Sequence, residues 1–207
     1  NNTDYVIRQY NSAKRAAATG DQTEQTGASS NWEPVPADGV LQAGKGYIIQ
    51  AANNTTNENG NYNDAVVVFP SRNTVTKNRL FTSNDIIVPL EEYAAEFAHN
   101  RSWNLVGNPY PCYFDMNQLK DEFYSPIVFW TGDNYQAYSP IDDDIILRPY
   151  ESFFVQRPID VEQMVFGAEG RMHYNDALKA TQADSQKPGV NSAPARSIDG
   201  AQRNVFN

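Results

Sequence analysis

The chain has 207 residues, of which 40% are hydrophobic, 12% aromatic and 20% charged, with a formal net charge of −9. That length predicts one domain with a core that needs no metal or disulfide, and the aromatic content argues against disorder throughout. The acidic balance argues against nucleic acid as a partner, and no apolar run approaches the roughly 20 residues a membrane span needs.

β signals dominate from the start. Residues 5–10 (YVIRQY) are aromatic and β-branched and predict a strand; 14–30 are small and polar and predict a loop. No basic stretch followed by an apolar one opens the chain, so no cleavable leader is expected. Residues 46–50 (GYIIQ) predict a strand entered through Gly44-Lys45-Gly46, and 52–64 an Asn/Thr/Gly loop. Residues 65–69 (AVVVF) predict a buried strand stopped by Pro70, followed by short strands at 79–81 and 85–88.

Residues 90–99 (LEEYAAEFAH) predict a short helix. Leu90, Tyr93, Ala94 and Phe97 would share one face, and Glu91 and Glu92 would sit near the positive end of the dipole. Residues 103–106 (WNLV) predict a strand that runs into 107–111 (GNPYP), and 116–123 a short helix with Asp115 as N-cap. Residues 127–130 (IVFW) and 135–138 (YQAY) predict a hairpin around Thr131-Gly132-Asp133-Asn134; 152–156 and 163–166 predict two more strands. Beyond Arg171 large apolar residues become rare. The expected organisation is a β module at 1–171, a flexible linker at 172–200 with a frayed helix at 175–183, and at 201–207 the first strand of a further β domain. Both ends read as cut from a longer polypeptide.

The sequence also repeats itself. Residues 38–50 (DGVLQAGKGYIIQ) align without a gap on 144–156 (DIILRPYESFFVQ), at an offset of 106. Asp38/Asp144, Leu41/Leu147 and Gln50/Gln156 are identical, and the flanking segments follow in the same order in each half. The Asp suits a turn and the Leu a core plug. The expected fold is therefore an all-β sandwich with an internal two-fold pseudo-repeat and one or two short helices.

Segment 103–111 (WNLVGNPYP), the strand 127–130, the stretch 138–144 (YSPIDDD) and 147–156 (LRPYESFFVQ) are together similar to a recurring β module. That module occurs in secreted and surface-exposed proteins of Bacteroidota-type bacteria, often leucine-rich-repeat or type IX-sorted proteins. The likeness covers roughly residues 5–171, but the Trp-containing strand that normally opens the module is missing. It implies an extracellular or cell-surface setting, with neighbouring domains of the same parent chain as partners, and it supplies no reaction and no binding residue. The composition agrees: 22 Asn and 12 Tyr against six Lys resemble bacterial surface β-proteins.

Within GNPYP, Gly107 permits a bend, and Asn108 and Tyr110 are pushed extended by the prolines that follow. The segment reads as a structural corner between sheets, with Tyr110–Pro111 the candidate for a cis bond. The alternative gives Tyr110 and Tyr113 rings to a ligand.

Chemistry is sparse. Cys112 is the single cysteine, so neither an intrachain disulfide nor a Cys-based metal site is expected. Asp142-Asp143-Asp144 lacks the spacing of a calcium loop. Glu91, Glu92, Glu96, Asp115, Asp121 and Glu122 form no marked acid/base pair, and His99 and His173 lack a catalytic context. Asn53, Asn54 and Asn100 open N-glycosylation triplets that an Asn-rich chain produces by chance. No enzyme, metal or cofactor is expected.

The leading expectation is a non-catalytic structural or interaction module serving adhesion or display, with a glycan or a host or matrix protein as partner. The alternative is a carbohydrate-binding module with an exposed aromatic platform of Trp130, Tyr135 and Tyr138, assisted by Asn134. Core packing of Trp130 is the preferred expectation and would favour the scaffold reading, whereas all three rings coplanar on one open face would favour sugar binding.

Overall fold

The computed structural model describes residues 5–18, 31–36, 38–51, 84–119, 126–131, 134–140 and 144–173. The strands predicted at 65–69 and 79–81, the helix at 175–183, the linker beyond His173 and the final strand lie outside the described residues, as do Asp121, Glu122, Asp142, Asp143, Asn53 and Asn54.

The protein is mostly β, in several antiparallel sheets with few helices. Strand β1 (Tyr5–Tyr10) leads into helix α1 (Ser12–Ala16), whose N-cap Asn11 accepts from the Lys14 N–H with its side chain. The small, polar composition predicts a loop from residue 14; the Asn11 cap and the Ala-rich run instead set a turn of helix there. Strands β2 (Trp32–Pro34) and β3 (Tyr47–Ala51) flank β1 in the order β2-β1-β3.

Strands β4 (Ile86–Pro89), β5 (Trp103–Gly107), β6 (Tyr113–Asp115), β7 (Ile127–Trp130) and β8 (Tyr135–Tyr138) follow. Then come β9 (Ile146–Leu147), β10 (Ser152–Gln156), β11 (Gln163–Phe166) and β12 (Arg171–Met172). They form a four-stranded sheet β5-β10-β7-β8, a pair β11-β4 and a sheet β12-β6-β9. The first sheet joins the four-stranded one through Lys45, which bridges to Val106, while Gly46 N–H donates to the Leu105 carbonyl and Gly107 N–H to that of Gly44.

Alternation along the strands sorts the faces. Ile127, Phe129, Phe153 and Val155 point one way and join Val106, Leu147, Phe114, Met164 and Phe166 in one fully buried core. Val128, Trp130, Tyr135 and Phe154 point the other way, toward the first sheet.

Cross-strand register recurs between two units. Ile7 faces Ile49 and Tyr10 faces Trp32 in β2-β1-β3; Ile127 faces Val155 and Trp130 faces Tyr135 in β8-β7-β10. Gly44 has φ 79° and Tyr150, 106 residues later, φ 57°. Both turns therefore enter their strands through the left-handed region.

The GNPYP corner is held from within. Asn108 is buried; its amide donates to the carbonyls of Cys112 and Arg148, and its oxygen accepts from the Tyr110 N–H. Tyr110 is 1% exposed, its hydroxyl donates to the Phe166 carbonyl at 2.8 Å, and Arg171 lies over its ring. Both Tyr110 and Tyr113 are buried, which removes the reading that they present rings to a ligand. Tyr110–Pro111 is trans.

Two predicted helices are corrected. Residues 90–97 are irregular, and only Ala98–Asn100 makes a 3₁₀ turn. Leu90 N–H donates to the Glu162 carbonyl, Glu91 N–H to the Asn104 side chain and Tyr93 N–H to Ser102 Oγ, so the backbone bonds a helix would use are taken by tertiary partners. Likewise, in the described part of 116–123, Met116–Gln118 is one 3₁₀ turn capped by Asp115, with Leu119 extended after it; residues 120–123 lie outside the described residues. Among the described residues no helix is long and apolar enough to cross a membrane.

Candidate functional site

The β7–β8 hairpin carries the exposed aromatic surface. Trp130 and Tyr135 face each other across the two strands, are 54% and 57% exposed, and lie 4.9 Å apart between ring centroids at 59°. The preferred expectation of a core Trp130 is thus overturned. The core face of β7 belongs to Ile127 and Phe129; Trp130, one residue on, must point away from it.

The predicted platform is smaller than three rings. Tyr138 is three residues from Tyr135 and so on the opposite face; it packs edge-on against Phe129 at 5.6 Å and borders the core. Asn134 is exposed, but its side-chain oxygen accepts from Thr131 Oγ1 at 2.8 Å and its N–H donates back to that hydroxyl. It closes the turn, which leaves its side-chain amide as the group able to reach a ligand. The rings of Trp130 and Tyr135 are tilted rather than coplanar, forming an open angle.

Below this pair lies an aromatic cluster that sequence reasoning missed. Phe154 is the hub: Tyr10 stands 4.9 Å away, Tyr135 5.8 Å, Trp32 6.1 Å and Trp103 6.5 Å, each near edge-to-face. The signal was present in the alternation of 152–156, where Phe153 and Phe154 must face opposite ways. Trp103 is fixed by donation from its indole N–H to the His99 carbonyl. Burial pushes the Tyr10 hydroxyl well above the usual tyrosine range, with Arg15 opposing the shift; Tyr135 is raised in the same way, again with Arg15 opposing. In helix α1, Lys14 pairs with Glu33 at 2.9 Å.

The remaining candidates serve the structure. Glu92 pairs with Arg157 at 3.2 Å, Glu91 lies 3.9 Å from Lys45, and Asp115 caps a turn. His99 and His173 are exposed. Asn100 is 0% exposed and its amide donates to the Ala18 carbonyl, so its triplet offers no acceptor for a glycan in the folded chain. Burial raises the Cys112 thiol, which keeps it protonated and unreactive near neutrality. Among the described residues no group of three or more His, Cys, Asp or Glu is placed to hold a metal ion.

Comparison with protein-family models, with curated proteins and with solved structures finds no match to this chain.

Proposed function

We propose that the chain is a non-catalytic interaction module of a bacterial cell-surface or secreted protein, and that it binds carbohydrate at the Trp130–Tyr135 hairpin. The observation that carries this is the exposure of both rings on one face of an edge hairpin, held by Phe154 beneath; the two rings meet at 59°, so the proposed surface is the open angle between them rather than the flat three-ring platform expected from the sequence. Placing two large apolar rings in water has no stabilising value for a fold, whereas sugar rings stack on such faces. The surface setting rests on the Asn- and Tyr-rich, Lys-poor composition and on the resemblance of the 103–111 segment. The carboxylates already committed to pairs and caps support the non-catalytic reading.

The architecture proposed is a sandwich grown from a duplicated β unit. Three features support duplication: the shared strand order of β2-β1-β3 and β8-β7-β10, their matching register, and the left-handed residues Gly44 and Tyr150 at the same offset as the sequence repeat.

Isothermal titration of the chain against neutral and acidic polysaccharides tests the function. A saturable heat with one polymer, reduced at least tenfold by Trp130→Ala, is expected. A folded chain that binds none of them, and instead retains matrix protein in a manner that Trp130→Ala abolishes, would transfer the hairpin to protein adhesion.

A further inference from the structure

Strand β8 lies at the edge of the sheet β5-β10-β7-β8, with half of its backbone turned outward. Across the hairpin, Thr131 N–H donates to the Asn134 carbonyl at 2.9 Å, so 131 and 134 are a hydrogen-bonded pair. Antiparallel pairs alternate. Phe129 and Gln136 therefore exchange bonds, as do Ile127 and Tyr138, whereas Tyr135 and Ala137 turn their N–H and C=O groups away from β7. Among the described residues none bonds to these outward groups, and both side chains are exposed.

Other edges in the molecule are blunted. β2 carries Glu33 and Pro34, β4 ends in Pro89, β5 is bridged from Lys45, and β9 and β12 have two residues each. β8 reads YQAY, with neither a charge nor a proline. It also suits a copy of itself. A two-fold axis through Gln136 sets that residue opposite its own copy and Tyr135 opposite the partner's Ala137. The outward groups of 135 and 137 then bond reciprocally, a large ring meets a small side chain, and two amides meet that both donate and accept.

We infer that β8 pairs antiparallel with β8 of a second copy of this chain, joining two four-stranded sheets into one across a two-fold axis at Gln136. The pairing does not depend on the carbohydrate reading: it uses the strand edge and sets both Trp130–Tyr135 pairs on the same face of the joined sheet. A four-residue edge buries little surface, so the dimer is weak, and the net charge of −9 on each copy opposes it.

Sedimentation velocity of the full chain from about 5 to about 500 µM tests this. A monomer–dimer equilibrium with Kd on the order of 100 µM is expected, tightened severalfold by about 0.5 M salt. Ala137→Pro removes an outward N–H without touching a bond to β7 and should weaken the dimer at least about tenfold. Gln136→Lys sets like charges opposite each other and should weaken it about as much, with partial recovery in salt. Both variants should keep native circular dichroism. In amide exchange of the unaltered chain, protection at Tyr135 and Ala137 should rise with concentration, while Gln136 and Tyr138 are protected throughout. A chain that stays monomeric overturns the inference and leaves the carbohydrate reading standing. A dimer that survives Ala137→Pro, or whose Tyr135 and Ala137 amides stay unprotected, overturns it by placing the contact elsewhere. A monomer that binds an alternating Thr/Val peptide at those two amides overturns it as well, the edge then serving a foreign strand.

Discussion

The units β2-β1-β3 and β8-β7-β10 share strand order and cross-strand register, yet they meet different surroundings. In the second, Ile127 and Val155 are sealed in the core; in the first, the corresponding Ile7 is half-buried and Ile49 is 44% exposed. Phe153 is buried where Tyr47 is half-buried. The strands are thus specified by local pairing and alternation, while burial is decided by what packs on each face. Similar sequences in similar strands do different work: one unit builds the core, and the other closes over Phe154 and leaves a rim of rings to water.

The sharpest way to break this comparison is to truncate matching positions. Phe153→Ala should cost about 3–5 kcal/mol by denaturant unfolding, and Ile49→Ala less than about 1 kcal/mol. Equal costs would mean that the two units are equally buried. The turns come next. Gly44→Ala should cost at least about 2 kcal/mol, since its φ is left-handed and a Cβ would collide with the Val88 side chain. Tyr150→Gly, at the corresponding turn, should move stability by less than about 1 kcal/mol, because relief of left-handed strain offsets the lost ring contacts of a half-exposed residue.

Tyr110→Phe removes the buried bond to the Phe166 carbonyl and should cost about 1–2 kcal/mol, measured the same way. Trp130→Ala should leave stability within about 0.5 kcal/mol while weakening glycan binding, which would separate the exposed rim from the core. The smallest effect is a pH dependence. Hydrogen bonds from Lys14 and Asn11 hold the Glu33 carboxyl below its ordinary range. A depressed folded pKa contributes stability that is present above the unfolded value and is lost as pH falls through the folded one. Acid titration followed by NMR should show α1 loosening from β2 only below the ordinary glutamate range, and Glu33→Gln should abolish that step.

Much of the β framework was legible. The segments 5–10, 103–106, 127–130, 135–138, 152–156 and 163–166 are strands, because alternation and β-branched or aromatic residues act locally. What failed depended on distant partners. The 90–99 segment has a helical pattern, but Asn104 and Ser102 capture its backbone. The short strands β9 and β12 exist only because β6 lies between them. The site was half legible: Trp130 and Tyr135 were named, but Tyr138 shares no face with Tyr135, a parity already fixed by their spacing. The direction of Phe154 was legible from the parity of 152–156, but its partners Tyr10 and Trp32 were not, since only the packing of the first sheet on the second brings them there.

The cluster around Phe154 has an optical consequence. All three tryptophans belong to it: Trp32 and Trp103 touch Phe154 directly, and Trp130 reaches it through Tyr135. Intrinsic tryptophan emission therefore reports on the seam between the two units and hardly at all on the phenylalanine-rich core. Far-ultraviolet dichroism reads the whole backbone. A difference between the two unfolding midpoints would measure directly how independently the seam opens, with no label and no mutation.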